Sequence, residues 1–266
     1  MANPVGSFIW YELMTPDPDG ARAFYGKVVG WQITGQADPQ AGGVDYRHIT
    51  RSDGGSNGGV LGLTDEMRKG GARPCWLGYL SVNNVDAAVQ AIVADGGRSL
   101  MPAFDLDVGR IAMLADPQGV PFYVMKPIPP AGVKDSTSDV YDRWANQHFS
   151  WNELYTSDIE GAKAFHAKHF HFEFNDSMPM GEMGSYWFID HGGQTIGAIM
   201  QKPPHVPAPG WNFYIRVADI DVAPARITQN GGQVLNGPME VPGGDWIING
   251  MDPQGAPFSL VGAKVK

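Results

Sequence analysis

The chain has 266 residues, 43% of them hydrophobic, a formal net charge of −9 and one cysteine, Cys75. The acidity argues against a nucleic-acid backbone as partner, and a lone cysteine excludes an intrachain disulfide and any cysteine metal cluster. No apolar run approaches the roughly 18–20 residues that span a bilayer, and Met1-Ala2-Asn3-Pro4 shows no basic-then-apolar leader. The expectation is a cytoplasmic protein with no membrane partner.

Taken from the N-terminus, Phe8, Trp10 and Glu12 alternate with Ile9, Tyr11 and Leu13, the period of a strand. Asp17 can cap a helix, Pro18 suits its first position, and Ala21, Phe24, Tyr25 and Val28 form its apolar stripe up to Gly30. Short strands are predicted near Trp31–Thr34, Asp45–Thr50 and Gly58–Leu63, with Asp53-Gly54-Gly55 as a tight turn between the last two. The plan restarts at Trp76–Val82. Asn84 caps a second helix with the stripe Val85, Ala88, Val89 and Ile92, and Gly96-Gly97 stops it. Strands follow near Arg98–Met101, Gly109–Ala115 and Pro121–Lys126, the last two joined by a turn at Asp116-Pro117-Gln118-Gly119.

Residues 127–147 read as a linker, from Pro129-Pro130-Ala131-Gly132 and Asp135-Ser136-Thr137-Ser138-Asp139, with Trp144 anchoring it on a domain surface. Beyond it the chain repeats itself. Trp-x-Glu-Leu-x-Thr occurs at Trp10 and Trp151 and Gly-Ala-x-Ala-Phe at Gly20 and Gly161, each pair 141 residues apart. A match of that length marks a tandem duplication. A third helix is predicted over Asp158–Phe170, with strands near Tyr186–Asp190, Gln194–Met200 and Trp211–Val217. A fourth helix starts near Asp221 with Pro224 in its first turn, and Asp252-Pro253-Gln254-Gly255 repeats the earlier turn. Two domains follow, 1–126 and 148–266, each made of two βαβββ modules in an α+β fold.

Four such modules, Gly-Ala-x-Ala-Phe helices and an Asp-Pro-Gln-Gly turn closing each half resemble the vicinal oxygen chelate superfamily, which includes glyoxalase I, bleomycin-resistance proteins and extradiol dioxygenases. The resemblance covers nearly the whole chain outside the linker, and within the superfamily it is nearest to the two-domain bacterial branch. It implies paired modules curled into half-open, barrel-like cups, with ligand chemistry on the concave face. It also implies where a metal would sit. At the first-strand position where metal-dependent members carry histidine, this chain has Trp10 and Trp151. At the final-strand glutamate it has Tyr123 and Ser259. The other two positions fall on Leu77 and Asn212, and within Gly58–Leu61 and Gly197–Met200. Indole, aliphatic and amide groups do not replace imidazole, thiolate or carboxylate donors, so both cups read as metal-free and no cofactor is expected.

The histidines offer no substitute site. His166, His169 and His171 read as a helix C-terminal cluster with no acidic partner in the nearby sequence. His148, His191 and His205 read as solvated, and Cys75 as a small apolar filler beside Trp76. His48 alternates with Tyr46 and is carried as a cup-lining candidate.

If Trp10 and Trp151 face the concave side, alternation brings Phe8, Glu12, Phe149 and Glu153 with them, and adds Tyr79, Tyr123, Met125, Tyr214 and Arg216. The candidate ligand-binding set is therefore Trp10, His48, Tyr79, Tyr123, Trp151, Tyr214 and Arg216. Such a pocket suits a planar or cationic small molecule. The tryptophans could equally plug the cups. Glu12 and Glu153 are candidate general bases or structural carboxylates, with a buried Glu153–Arg216 pair as one possibility. Arg110 and Asp245 are loop charges that either gate the pockets or lie in solvent. Three functions stay open: a metal-independent small-molecule binding or sequestering protein, a glyoxalase-like lyase, isomerase or dioxygenase, and a cofactor-independent enzyme using Glu12 or Glu153. A monomer or a homodimer is compatible with internal pairing of the halves.

Overall fold

A computed structural model describes residues 3–129 and 136–265. The Pro130–Gly132 and Asp135 portions of the predicted linker lie outside the described residues. In the first half, β1 (Phe8–Thr15) leads into α1 (Pro18–Val28), then β2 (Gln32–Ile33), β3 (Tyr46–Thr50) and β4 (Ser56–Gly62). A short helix, α2 (Asp65–Lys69), precedes β5 (Cys75–Ser81), α3 (Val85–Ala94), β6 (Arg98–Leu106), β7 (Gly109–Ala115) and β8 (Pro121–Pro127). The second half runs β9 (Phe149–Thr156), α4 (Ile159–Phe170), β10 (Ser177–Pro179), β11 (Ser185–His191) and β12 (Gln194–Gln201). It closes with β13 (Gly210–Arg216), α5 (Ala223–Gln229), β14 (Gln233–Glu240), β15 (Trp246–Met251) and β16 (Pro257–Gly262).

The strands form two cupped eight-stranded sheets in an α+β fold, ordered β2-β3-β4-β1-β5-β8-β7-β6 and β10-β11-β12-β9-β13-β16-β15-β14. Each module has the same plan: a strand, a helix, and antiparallel strands of which the last returns parallel to the first, as β4 does to β1 and β12 to β9. Local chemistry explains the repeated motif. The Asp17 and Asp158 carboxylates cap α1 and α4 by accepting the Gly20 and Gly161 N–H bonds at 2.9 and 3.0 Å. A Cβ on either glycine would lie 2.3 or 2.2 Å from that carboxylate, so the cap requires glycine three residues on. Gly58 and Gly197 answer a second constraint: a Cβ there would meet the Tyr11 or Asn152 carbonyl oxygen at 1.9 Å.

Contacts cluster the chain into two compact units, each taking one module from each half. One contains Met1–Ile9, Leu77–Ser138 and Asn152–Trp211; the other contains Trp10–Trp76, Asp139–Trp151 and Asn212–Lys266. The second of these has an aromatic core in which Tyr11 stacks on Phe149 at 3.7 Å and Tyr25, Trp31, Trp76 and Phe258 pack edge to face or stacked. Within it the Tyr25 hydroxyl donates to Asp252 Oδ2 at 3.1 Å and accepts from the Trp76 indole N–H at 3.0 Å. Asp252 belongs to the repeated turn, and its other oxygen accepts the N–H groups of Gln254 and Ala256. In the first unit the repeat-equivalent pair is His166 and Asp116, both wholly buried side chains, with Nε2 and Oδ2 3.8 Å apart. Each turn aspartate thus faces the helix of the other half.

The end of the linker is fixed by residues other than Trp144. Asp139 pairs with Arg51 at 2.5 Å, Val140 is 2% exposed, and the Gln147 carbonyl accepts from the Trp31 indole at 2.8 Å and from the Asn57 amide. Trp144 is 68% exposed, so it does not anchor the segment by burial.

Candidate functional site

In the unit holding the first module, β1 and β3 flank β4 so that Glu12 and His48 both lie opposite Gly59 and share one face with Trp10 and Tyr46. Trp10 is half-buried, and its indole N–H donates to the Tyr46 hydroxyl at 2.7 Å. The Tyr46 ring occupies the space above Gly59, where a Cβ would lie 2.2 Å from it. His48 stands edge-on to both rings, 6.3 Å from Trp10 and 5.7 Å from Tyr46, and bonds Asp38 through Nε2 at 3.0 Å. That bond holds the Asp38 carboxyl below its ordinary value. Glu12 is 2% exposed. Burial of the hydroxyl and then the Glu12 charge push Tyr46 well above the usual phenol range. Burial and Glu12 also push the Cys75 thiol up to about 12, the opposite of an activated nucleophile.

In the same unit the fourth module carries a polar chain. Ser259 donates to Asn212 Oδ1 at 2.8 Å, and the Asn249 amide donates to Ser259 Oγ at 2.8 Å and reaches the Tyr214 hydroxyl at 3.4 Å. Arg216 pairs with Asp245. Its fork closes on Asp245 through contacts of 2.9–3.0 Å, because β13 carries it to the loop before β15. Asp245 is therefore a partly buried ion-pair partner rather than a solvated loop charge. The Arg216 guanidinium also lies 5.4 Å from the Trp144 ring centroid. Trp151 is half-buried beneath the guanidinium of Arg143, 5.1 Å from its centroid.

In the other unit Glu153 is 5% exposed and accepts the Tyr186 hydroxyl at 2.6 Å, a charge-assisted bond. Tyr186 lies 140 residues after Tyr46, so the repeat places a tyrosine beside the glutamate in each half. Sequence reasoning passed over both tyrosines; aligning the repeat through its third strand finds them. In the second module Tyr79 and Tyr123 are direct partners across β5 and β8 and stack at 4.2 Å. Arg110 is tied to Asp86 and Asp105 on the surface.

The histidines are corrected in part. Asp95 stands 2.8 Å from His169, and burial holds the His169 pKa below its ordinary value despite that carboxylate. Acidic partners for His166 and His169 therefore exist, but each histidine faces a different one. His148 is buried and bonds the Asn146 carbonyl, and His191 donates to the Val5 carbonyl at 2.7 Å, so neither is a solvated ring; His205 is exposed. Among the described residues no group of three or more His, Cys, Asp or Glu could hold a metal ion.

A protein-family model described as the Glyoxalase/Bleomycin resistance protein/Dioxygenase superfamily matches residues 7–124 and 147–260. The chain belongs to this superfamily. Among similar members, the Mycobacterium tuberculosis (strain CDC 1551 / Oshkosh) protein "Putative glyoxylase CFP32" is 31% identical over 95% of this chain and 93% of its own. The Streptomyces sp. (strain C5) "Anthracycline biosynthesis protein DauV" is 29% identical over 96% and 93%. Superfamily structures of the same fold include the Mn(II)-bound glyoxalase from Novosphingobium aromaticivorans, with a TM-score of 0.63 and 17% identity over 97% of this chain and 82% of that one. The 2,3-dioxygenase LapB from Pseudomonas sp. KL28 also scores 0.63, at 13% identity over 99% and 94%.

The residues present do not fit the superfamily's transition metal. In the first half the first-strand indole is bonded to Tyr46, and Tyr123 is stacked on Tyr79. In the second half Asn212 and Ser259 are bonded to one another and Trp151 lies under Arg143. No imidazole or thiolate stands at any of these positions.

Proposed function

We propose that this chain is a small-molecule binding or sequestering protein of the glyoxalase/bleomycin-resistance type, in which aromatic, amide and carboxylate side chains do the recognition without a resident metal. The observation that carries this reading is the Trp10–Tyr46 bond. It supports a first-strand position turned from ion coordination to an aromatic surface, with Glu12 buried beside it. The ligand class is a planar aromatic compound, bound by ring stacking and apolar burial; relatives named for anthracycline biosynthesis support that class. Glu153 and Tyr186 form a carboxylate–phenol pair that orients a polar edge of such a ligand. On this reading the protein is cytoplasmic, a monomer or homodimer, and organised as domains 1–126 and 148–266 joined by 127–147.

Two measurements test it. Elemental analysis of protein purified without a metal-affinity tag is expected to find no stoichiometric transition metal; a bound metal whose removal abolishes ligand binding or turnover refutes the proposal in favour of a glyoxalase-like lyase or dioxygenase. Glu12→Gln and Glu153→Gln are then compared in binding and turnover assays on aromatic carbonyl compounds. Weakened binding with no turnover in any form supports sequestration. Turnover by the unmodified chain, lost in either variant with binding retained, points instead to a cofactor-independent enzyme.

A further inference from the structure

Arg143 differs from the other arginines that are buried or half-buried. Arg47 pairs with Asp19 and Asp45, Arg51 with Asp53 and Asp139, Arg110 with Asp86 and Asp105, and Arg216 with Asp245. Arg143 is half-buried, yet among the described residues it has no carboxylate partner, in a chain with nine more acidic than basic residues. The adjacent carboxylate, Asp142, is turned onto the backbone, where its Oδ1 accepts the N–H groups of Trp144 and Ala145 at 2.7 and 2.9 Å. What Arg143 does touch is aromatic. Its guanidinium carbon lies 5.1 Å from the ring centroids of both Trp144 and Trp151.

A cation–π contact takes up none of the five N–H donors of a guanidinium, so they stay able to form a fork. The fork of Arg216, also against Trp144, is already closed on Asp245, whereas among the described residues no carboxylate closes that of Arg143. We infer that Arg143, Trp144 and Trp151 form a binding site for the carboxylate of a planar aromatic acid. The carboxylate pairs with the Arg143 fork, and the ligand ring lies against the solvent-exposed part of Trp144. Trp151 holds the guanidinium in place. The inference rests on the small-molecule reading above and adds a charge to it. It concerns the second half alone, since the ring at Trp10 meets His48, whose Nε2 is bonded to Asp38.

The test uses the full chain and an isosteric pair of probes, 1-naphthoate and 1-naphthamide, followed by calorimetry and by quenching of tryptophan fluorescence. The acid is expected to bind at least about tenfold more tightly than the amide, with the difference shrinking at high salt. Arg143→Gln is expected to erase that preference while leaving the amide affinity within about twofold, and Arg143→Lys to keep part of it. Equal affinity of acid and amide for the unmodified chain overturns the anion site and leaves the small-molecule reading standing. A preference that survives Arg143→Gln overturns it as well. Should neither probe bind, both readings fall together. If Arg143→Gln does not fold, the acid–amide comparison on the unmodified chain and on Arg143→Lys decides alone.

Discussion

Tyr25→Phe isolates the bond that ties α1 to the turn of the other half within one compact unit. The ring is wholly buried and its edge-to-face contacts with Phe24, Trp76 and Phe258, at 5.0, 5.4 and 5.8 Å, need no hydroxyl. The substitution is therefore close to shape-neutral and removes only polar partners. It strands the Trp76 N–H and one oxygen of Asp252, while the other oxygen keeps Gln254 and Ala256. A buried group left without its partner costs about 1–3 kcal/mol, so two of them predict a loss of about 2–6 kcal/mol. For a chain of this size that corresponds to a fall in Tm of roughly 4–24 °C. Urea unfolding gives the free energy, and a double-mutant cycle with Asp252→Asn is expected to return a coupling of about 1 kcal/mol or more. A loss below about 0.5 kcal/mol, the scale of an ordinary surface substitution, refutes the idea that the turn aspartate and the helix tyrosine hold each other.

Burial, aided by Asp252 for Tyr25 and by Glu12 for Tyr46, raises Tyr25, Tyr46 and Tyr141 above the ordinary 10.0 in the folded chain. The folded state then keeps protons that the unfolded state loses, so stability is intact below about pH 10 and falls above it, as urea midpoints and tyrosinate absorbance across that range should show. At Gly59 the atoms nearest an added Cβ belong to the movable Tyr46 ring, so Gly59→Ala should cost about 1–3 kcal/mol by urea unfolding. Gly58→Ala drives the same atom into the Tyr11 carbonyl and should cost more; an equal or smaller loss contradicts the strand spacing described here. Cys75, with its thiol pushed up to about 12 by burial and Glu12, should resist alkylation at neutral pH until the chain is unfolded; rapid labelling of the folded protein is the adverse result.

The parts of the fold legible in the sequence are those where one residue type meets one backbone demand. Asp17 and Asp158 announce helices because their carboxylates cap them, and Gly20 and Gly161 follow because nothing larger fits. The edge strands were harder. β6 runs to Leu106 rather than stopping near Met101, and β14 likewise contains Pro238. At a sheet edge a proline without an N–H interrupts no ladder on the solvent side, and shifts of register at Met101/Phe104 and Asn236/Met239 accommodate it. α2 buries no residue and so leaves no apolar period to read. In the candidate site, charge complementarity suggested Glu153 with Arg216. The loop before β15 gives Arg216 the Asp245 carboxylate, and Glu153 takes the Tyr186 phenol, which the repeat alignment reveals.

Comparing the halves with each other separates scaffold from recognition. Where the demand is on the backbone, the copies agree: the caps at Asp17 and Asp158, the close approaches at Gly58 and Gly197, the turns at Asp116 and Asp252. Where side chains meet one another, they part. Tyr123 lies in a ring stack, whereas its counterpart Ser259 joins a chain of amides and hydroxyls; His48 pairs with Asp38, whereas Phe188 packs on Tyr186. Tyr25 bonds its aspartate, but His166 stops 3.8 Å short of the equivalent one. On the reading proposed above, the two copies offer a ligand different surfaces, one apolar and aromatic, the other hydrogen-bonding. That difference is measurable as unequal effects of Tyr123→Leu and Ser259→Ala on a ligand series graded in polarity.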